Sequence, residues 1–190
     1  MKRFGSRCLA AAFGLLPAAS VFAMLLFVST ASAHERHHDE QDPPLPAELQ
    51  VPAGNEVAFC ATGVGVQIYV WRVNASDPTL SAWVLKAPHA LLFQQREVAG
   101  IHFAGPSWEN NDGSKVTGKR VASATVDPNA IPWLLLQASS TLGAGLFADI
   151  TYIQRLNTHG GLAPSAPGTA DGQEVLVPYI AEYVFYHAKP

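Results

Sequence analysis

Val64 to Val73 reads VGVQIYVWRV, and its period decides the fold. Val66, Ile68 and Val70 fall on one side of an extended chain, and Gln67, Tyr69 and Trp71 on the other. A two-residue period in β-branched and aromatic residues is the signature of a strand, because successive side chains of extended backbone point to opposite faces. The same pattern recurs on both sides of this stretch. Lys115 to Val126 runs in period two, Trp133 to Ala138 (WLLLQA) is a short apolar run behind Pro132, and Ala148 to Leu156 (ADITYIQRL) alternates again. Tyr179 to Tyr186 (YIAEYVFY) is aromatic and β-branched, with Glu182 as its one charge. Gly, Pro, Asn and Asp gather between the runs, and no segment keeps helical spacing with caps. The pattern predicts an all-β fold, a single-domain sandwich or barrel of about eight to ten strands.

That domain spans residues 47–190. Two segments precede it. MKRFGSR is basic, Cys8 to Val28 is almost wholly apolar, and Ala31-Ser32-Ala33 has the small-x-small form of a cleavage site. Residues 1–33 therefore read as a signal peptide, which predicts a secreted or periplasmic protein with no integral membrane segment after cleavage. Residues 34–46, HERHHDEQDPPLP, are charged and then proline-rich, and read as a short disordered tail. Three of the 12 basic residues and none of the 15 acidic ones lie in the leader, so the remaining chain carries a formal charge of −6. With no basic cluster beyond the leader, nucleic acid is excluded as a partner. Cys8 leaves with the leader, and Cys60, in the apolar setting VAFCATG, reads as a lone buried hydrophobe or the donor of an intermolecular bridge.

The densest chemistry lies in Ile101 to Gly118, IHFAGPSWENNDGSKVTG. It reads as a strand, a corner and a hairpin. Asp112 and Gly113 suit the tip, since Asn-Asp-Gly sequences accept positive φ. Glu109 and Asp112 also offer two carboxylates, the pair that glycoside hydrolysis needs across a substrate, with His102 beside them. Trp108 reads as core, and His102 as the better binding candidate, because a polar ring on a strand needs a partner once buried. Gly143 to Ala148 matches G-x-G-x-x-A, but a strand rather than a helix follows, so it is read as a loop. In the tail, His34, His37 and His38 stand beside Glu35, Asp39 and Glu40, donors that suit zinc or copper. The plainer reading is a solvated tail, and no cofactor is otherwise expected. Neither a G-x-S-x-G nor a C-x-x-C motif occurs.

GVQIYVW, HFAGPSWENNDGSKVTG, IPWLLL, YIQRLNTHGG and VPYIAEYVFY, in this order, resemble the domain of unknown function 3455 family of exported bacterial and fungal proteins. The resemblance runs from about residue 46 to 187. It implies a shared fold unit without a settled activity. It also implies which residues belong to the common pattern: Gln67, Tyr69, His102, Gly105, Pro106, Trp108, Asp112, Gly113, Arg155, Thr158, Gly160, Gly161, Tyr179 and Tyr183. Arg155 and His159 thereby join His102, Trp108, Glu109 and Asp112 as ligand-binding candidates. Family members often carry a Cys where Trp71 stands and another after Pro164; this chain has neither, which argues against a redox role. Three functions follow as expectations: a binding or structural module for a cell-envelope glycan or a small hydrophobic ligand, a hydrolase using His102, Glu109 and Asp112, or metal handling by the tail. Four Trp and five Tyr, all beyond the leader, favour the first.

Overall fold

A computed structural model describes residues 43–74, 76–77 and 79–190. The expected leader and most of the expected tail, with His34, His37 and His38, lie outside the described residues. Pro44–Pro190 forms one compact unit. It is a closed antiparallel barrel in which every strand pairs with its neighbours in sequence and the first pairs with the last. The strands are β1 (Asn55–Val73), β2 (Ser81–Gln94), β3 (Glu97–Phe103), β4 (Ser107–Asn110), β5 (Lys115–Ala124), β6 (Trp133–Leu142), β7 (Ile150–Gly160) and β8 (Glu174–Ala188). Of the two architectures the period-two pattern allowed, the chain adopts the barrel, with strand number at the lower expected bound. Closure leaves no unpaired strand edge, which removes the template for aggregation that an open sheet exposes. Among the described residues there is no α-helix, only a 3-10 turn at Ala47–Leu49, and no helix long and apolar enough to cross a membrane.

The alternation in VGVQIYVWRV is real, but its inward face is the polar and aromatic one. Gln67 is 1% exposed and Tyr69 8%, while Val64 on the other side is 43% exposed. Gly63 shares the inward row. A Cβ there would lie 2.5 Å from the ring of Tyr183, so a glycine is what lets that ring cross the barrel. Inward positions of the other strands supply His102 from β3, Trp108 from β4, Val116 from β5, Leu136 from β6, Ile153 from β7, and Tyr183 and Phe185 from β8.

One end of the barrel is packed solid. Phe147, from the loop between β6 and β7, stacks on Phe185 at 4.6 Å, and Phe59 meets both rings edge-on or tilted. That loop, the sequence matching G-x-G-x-x-A, is held by the β4–β5 hairpin. Asp112 Oδ2 accepts from the Leu146 amide at 2.8 Å, and Ser114 Oγ accepts from the Phe147 amide at 3.0 Å. Gly113 has φ +83° at the hairpin tip, the conformation its Asn-Asp-Gly context predicts. Outside the barrel wall, Gln154, between inward Ile153 and Arg155, donates to the Leu49 carbonyl at 2.6 Å and accepts from the Tyr186 hydroxyl at 2.7 Å.

One expectation is corrected here. Cys60 is half-buried rather than fully buried, and it is not a free thiol.

Candidate functional site

The other end of the barrel is not filled. A cavity of about 400 Å³ lies between β1, β2, β6 and β7, with the β3–β4 turn at its rim. Its floor is buried: Gln67, His102, Trp108, Leu136 and Tyr183 line it, each 2% exposed or less. Its mouth is exposed and comes from Leu85, Lys86, Gly105, Pro106 and Arg120. Eight strands enclose an interior that side chains can fill or that can hold one small molecule. Here one barrel does both, filled at the phenylalanine end and open at the other. The volume falls in the range of small-ligand sites.

The floor begins with a ring stack. His102 lies on Trp108 with centroids 4.4 Å apart and planes 7° from parallel, and Tyr183 meets both rings edge-on. The two stacked residues are directly opposite one another on β3 and β4, so the tight Ala104–Pro106 corner brings them together. His102 Nδ1 lies 2.8 Å from the Ser107 carbonyl oxygen. A carbonyl only accepts, so Nδ1 carries the proton and Nε2 is left as an acceptor. Burial pulls the ring's pKa down to about 3, with a smaller contribution from the Arg155 charge and opposition from the Ser107 bond. The imidazole is neutral near pH 7.

Arg155 supplies the charge of the inner site. Its guanidinium donates to the Pro132 carbonyl from Nε at 3.2 Å and Nη2 at 2.8 Å, and to the Tyr183 hydroxyl. Tyr183 is in turn 3.1 Å from the Tyr179 hydroxyl, and Tyr69 donates to the Gly161 carbonyl at 2.7 Å. Burial lowers the Arg155 pKa from its ordinary value and raises those of Tyr69, Tyr179 and Tyr183. The phenols thus stay neutral, and the guanidinium stays cationic, because arginine does not deprotonate inside proteins. Every partner of Arg155 among the described residues is neutral. No carboxylate lines the cavity among the described residues, whereas Lys86 and Arg120 place positive charge at the rim. Lys86 pairs with Glu174 at 2.5 Å; Arg120 has no ion pair among the described residues. Two buried donors, Gln67 Nε2 and Trp108 Nε1, have no hydrogen-bond partner among the described residues.

Of the candidates read from the sequence, the fold brings His102, Trp108 and Arg155 to this one cavity. Glu109, Asp112 and His159 are not in its lining. Glu109 pairs with Lys115 at 3.2 Å across β4 and β5, and Asp112 spends its carboxylate on Ser114 and Leu146. His159 is exposed at the end of β7. Trp108 is both core and cavity wall, so the two readings weighed for it are not exclusive. Gln67 and Tyr183, named only by family resemblance, line the floor. The pairing of β1 with β8 across more than a hundred residues brings them together, and no local pattern announces such a contact. Among the described residues no cluster of His, Cys, Asp and Glu is placed to hold a metal. The tail stretch HERHH also has H-E-x-x-H spacing, a zinc pattern when carried on a helix, and lies outside the described residues.

Residues 52–187 match the model of a family described as protein of unknown function (DUF3455), and the chain belongs to that family. No curated protein and no solved structure matches the chain.

Proposed function

We propose that this protein is an exported binding module that takes one small, largely hydrophobic molecule into the open half of its barrel. The observation that carries this reading is the half-filled interior itself. A barrel selected only for stability closes its interior, because each unfilled volume forfeits packing contacts. This one packs one end with three phenylalanine rings and leaves about 400 Å³ at the other, bounded by Leu134, Leu136, Pro88 and two aromatic rings.

The alternatives draw less support. A glycan platform needs exposed aromatic faces, yet Trp71 and Trp83 meet edge to face at 5.2 Å and are tied to the β7–β8 loop, with Trp83 Nε1 donating to the Ala166 carbonyl at 2.9 Å. Hydrolysis by Glu109 and Asp112 needs carboxylates that face a substrate, and both are engaged elsewhere.

Binding of the neutral fluorophore N-phenyl-1-naphthylamine tests the proposal. The expected result is saturable uptake at one site per chain. Ala87→Trp, at the cavity wall, should weaken it about tenfold by occupying the space of a few methylenes while the melting temperature stays near wild type. Unsaturable uptake, or uptake indifferent to Ala87→Trp, would refute the assignment of the site.

A further inference from the structure

The cavity is apolar in its walls and cationic in its charge, and the two together specify a class of ligand. Resting on the binding reading above, we infer that the ligand is an amphipathic acid. Its apolar body lies along Leu134, Leu136 and Pro88, and its oxyanion is held by Arg155, with Gln67 and Trp108 as further donors.

Three observations support this. First, Arg155 stands half-buried at the cavity with neutral partners only among the described residues, the Pro132 carbonyl and the Tyr183 hydroxyl, and none of the described lining residues is a carboxylate. A partly desolvated guanidinium favours an anion beside it, because desolvating an unpaired charge is costly. Second, Gln67 Nε2 and Trp108 Nε1 are buried N–H donors without partners, and both residues line the same cavity. Buried donors are nearly always satisfied, so two orphans in one site point to an acceptor that belongs there. Third, the remaining charges of the lining are cations at the rim; Glu174 offsets that of Lys86, while Arg120, with no ion pair among the described residues, favours anions over cations at the entrance. A neutral ligand would leave the first and third features without a use. A carboxylate and a phosphate share the chemistry that Arg155 recognises, since both present two oxygens to its fork.

The test compares octanol, octanoate and octyl phosphate, three probes with one apolar body, by calorimetric titration of the exported protein near neutral pH. The expected result is that at least one acid binds about tenfold or more tighter than the alcohol, the scale of a hydrogen bond to a charged group; which acid wins separates carboxylate from phosphate. Arg155→Gln should erase the preference for acid over alcohol, and Arg155→Lys should keep part of it. The wild-type comparison stands even if Arg155→Gln does not fold. Equal affinity for acids and alcohol overturns the anionic ligand while leaving the cavity as a hydrophobic site. Binding by none of the three overturns both. A preference that survives Arg155→Gln and vanishes in Arg120→Gln moves the anion to the rim and overturns the role given to Arg155.

Discussion

The imidazole of His102 lies flat on the indole of Trp108, 4.4 Å between centroids, while its Nδ1–H reaches the Ser107 carbonyl at 2.8 Å. Burial holds the ring neutral in the barrel interior, with a pKa pushed down to about 3 against the opposing Ser107 bond. In the unfolded chain the same ring gains a proton below about pH 6.5. Between these values the unfolded state binds the extra proton, so stability is lost as pH falls. The slope approaches about 1.4 kcal/mol per pH unit, and above about pH 6.5 the contribution is constant. Urea midpoints of wild type and His102→Gln at neutral pH and near pH 4.5 measure it. The gap between the two proteins should narrow on acidification, because the variant lacks the titrating ring. A gap that widens would mean the ring is charged in the fold.

Trp108 is 1% exposed and contacts Phe185, Tyr183 and His102 by ring faces and edges. Trp108→Ala should cost about 3–5 kcal/mol by opening a cavity in the core. Trp108→Phe should cost clearly less. It keeps much of the ring volume and deletes an indole N–H that has no partner, which releases a desolvation penalty. Equilibrium denaturation of both variants separates the packing role from any role of the N–H in binding.

The hairpin tip and the β6–β7 loop are coupled through Asp112. Gly113 needs positive φ but has open space around it, so Gly113→Ala should cost about 1 kcal/mol by backbone strain alone. Gly145 also has positive φ, and a Cβ there would land on the Asp112 carboxylate. Gly145→Ala should therefore destabilise more than Gly113→Ala and loosen Phe147, whose neighbour Leu146 donates to Asp112. Thermal melts rank the two, and amide exchange at Leu146 and Phe147 should rise in the Gly145 variant only.

Cleavage after Ala33 predicts that the exported protein begins at His34. Its intact mass should lack residues 1–33, and a mass that retains them would refute export through a cleaved leader.

Much of the fold was legible because strand signals are local. VGVQIYVWRV and YIAEYVFY lie inside β1 and β8, ADITYIQRL enters β7 at its third residue, and the Asn-Asp-Gly turn sits between β4 and β5. Which face of a strand turns inward is not local. The alternation set Val66 and Ile68 apart from Gln67 and Tyr69 without naming the inward pair; Gln67 and Tyr69 turn in, and Gln67 shares the interior with Arg155 and Tyr183. The closure of β1 on β8 and the long β2 likewise left no local mark. At the site, His102 and Trp108 were legible as neighbours across a corner. Arg155 came from family resemblance alone, since a strand arginine in isolation reads as solvated surface. Glu109 and Asp112 drew attention by their proximity in sequence, but the β4–β5 hairpin sends each to its own partner.

The central claim, that ligand enters the barrel beneath Trp108, is tested most directly by the indole N–H resonances of the protein during titration with octanoate, assigned by Trp108→Phe. The Trp108 Nε1–H signal, without a partner among the described residues, should shift saturably, while that of Trp83, already bonded to Ala166 on the outside, should stay in place. A shift of Trp83 or Trp71 with Trp108 unmoved would put the ligand on the outer surface and contradict the account.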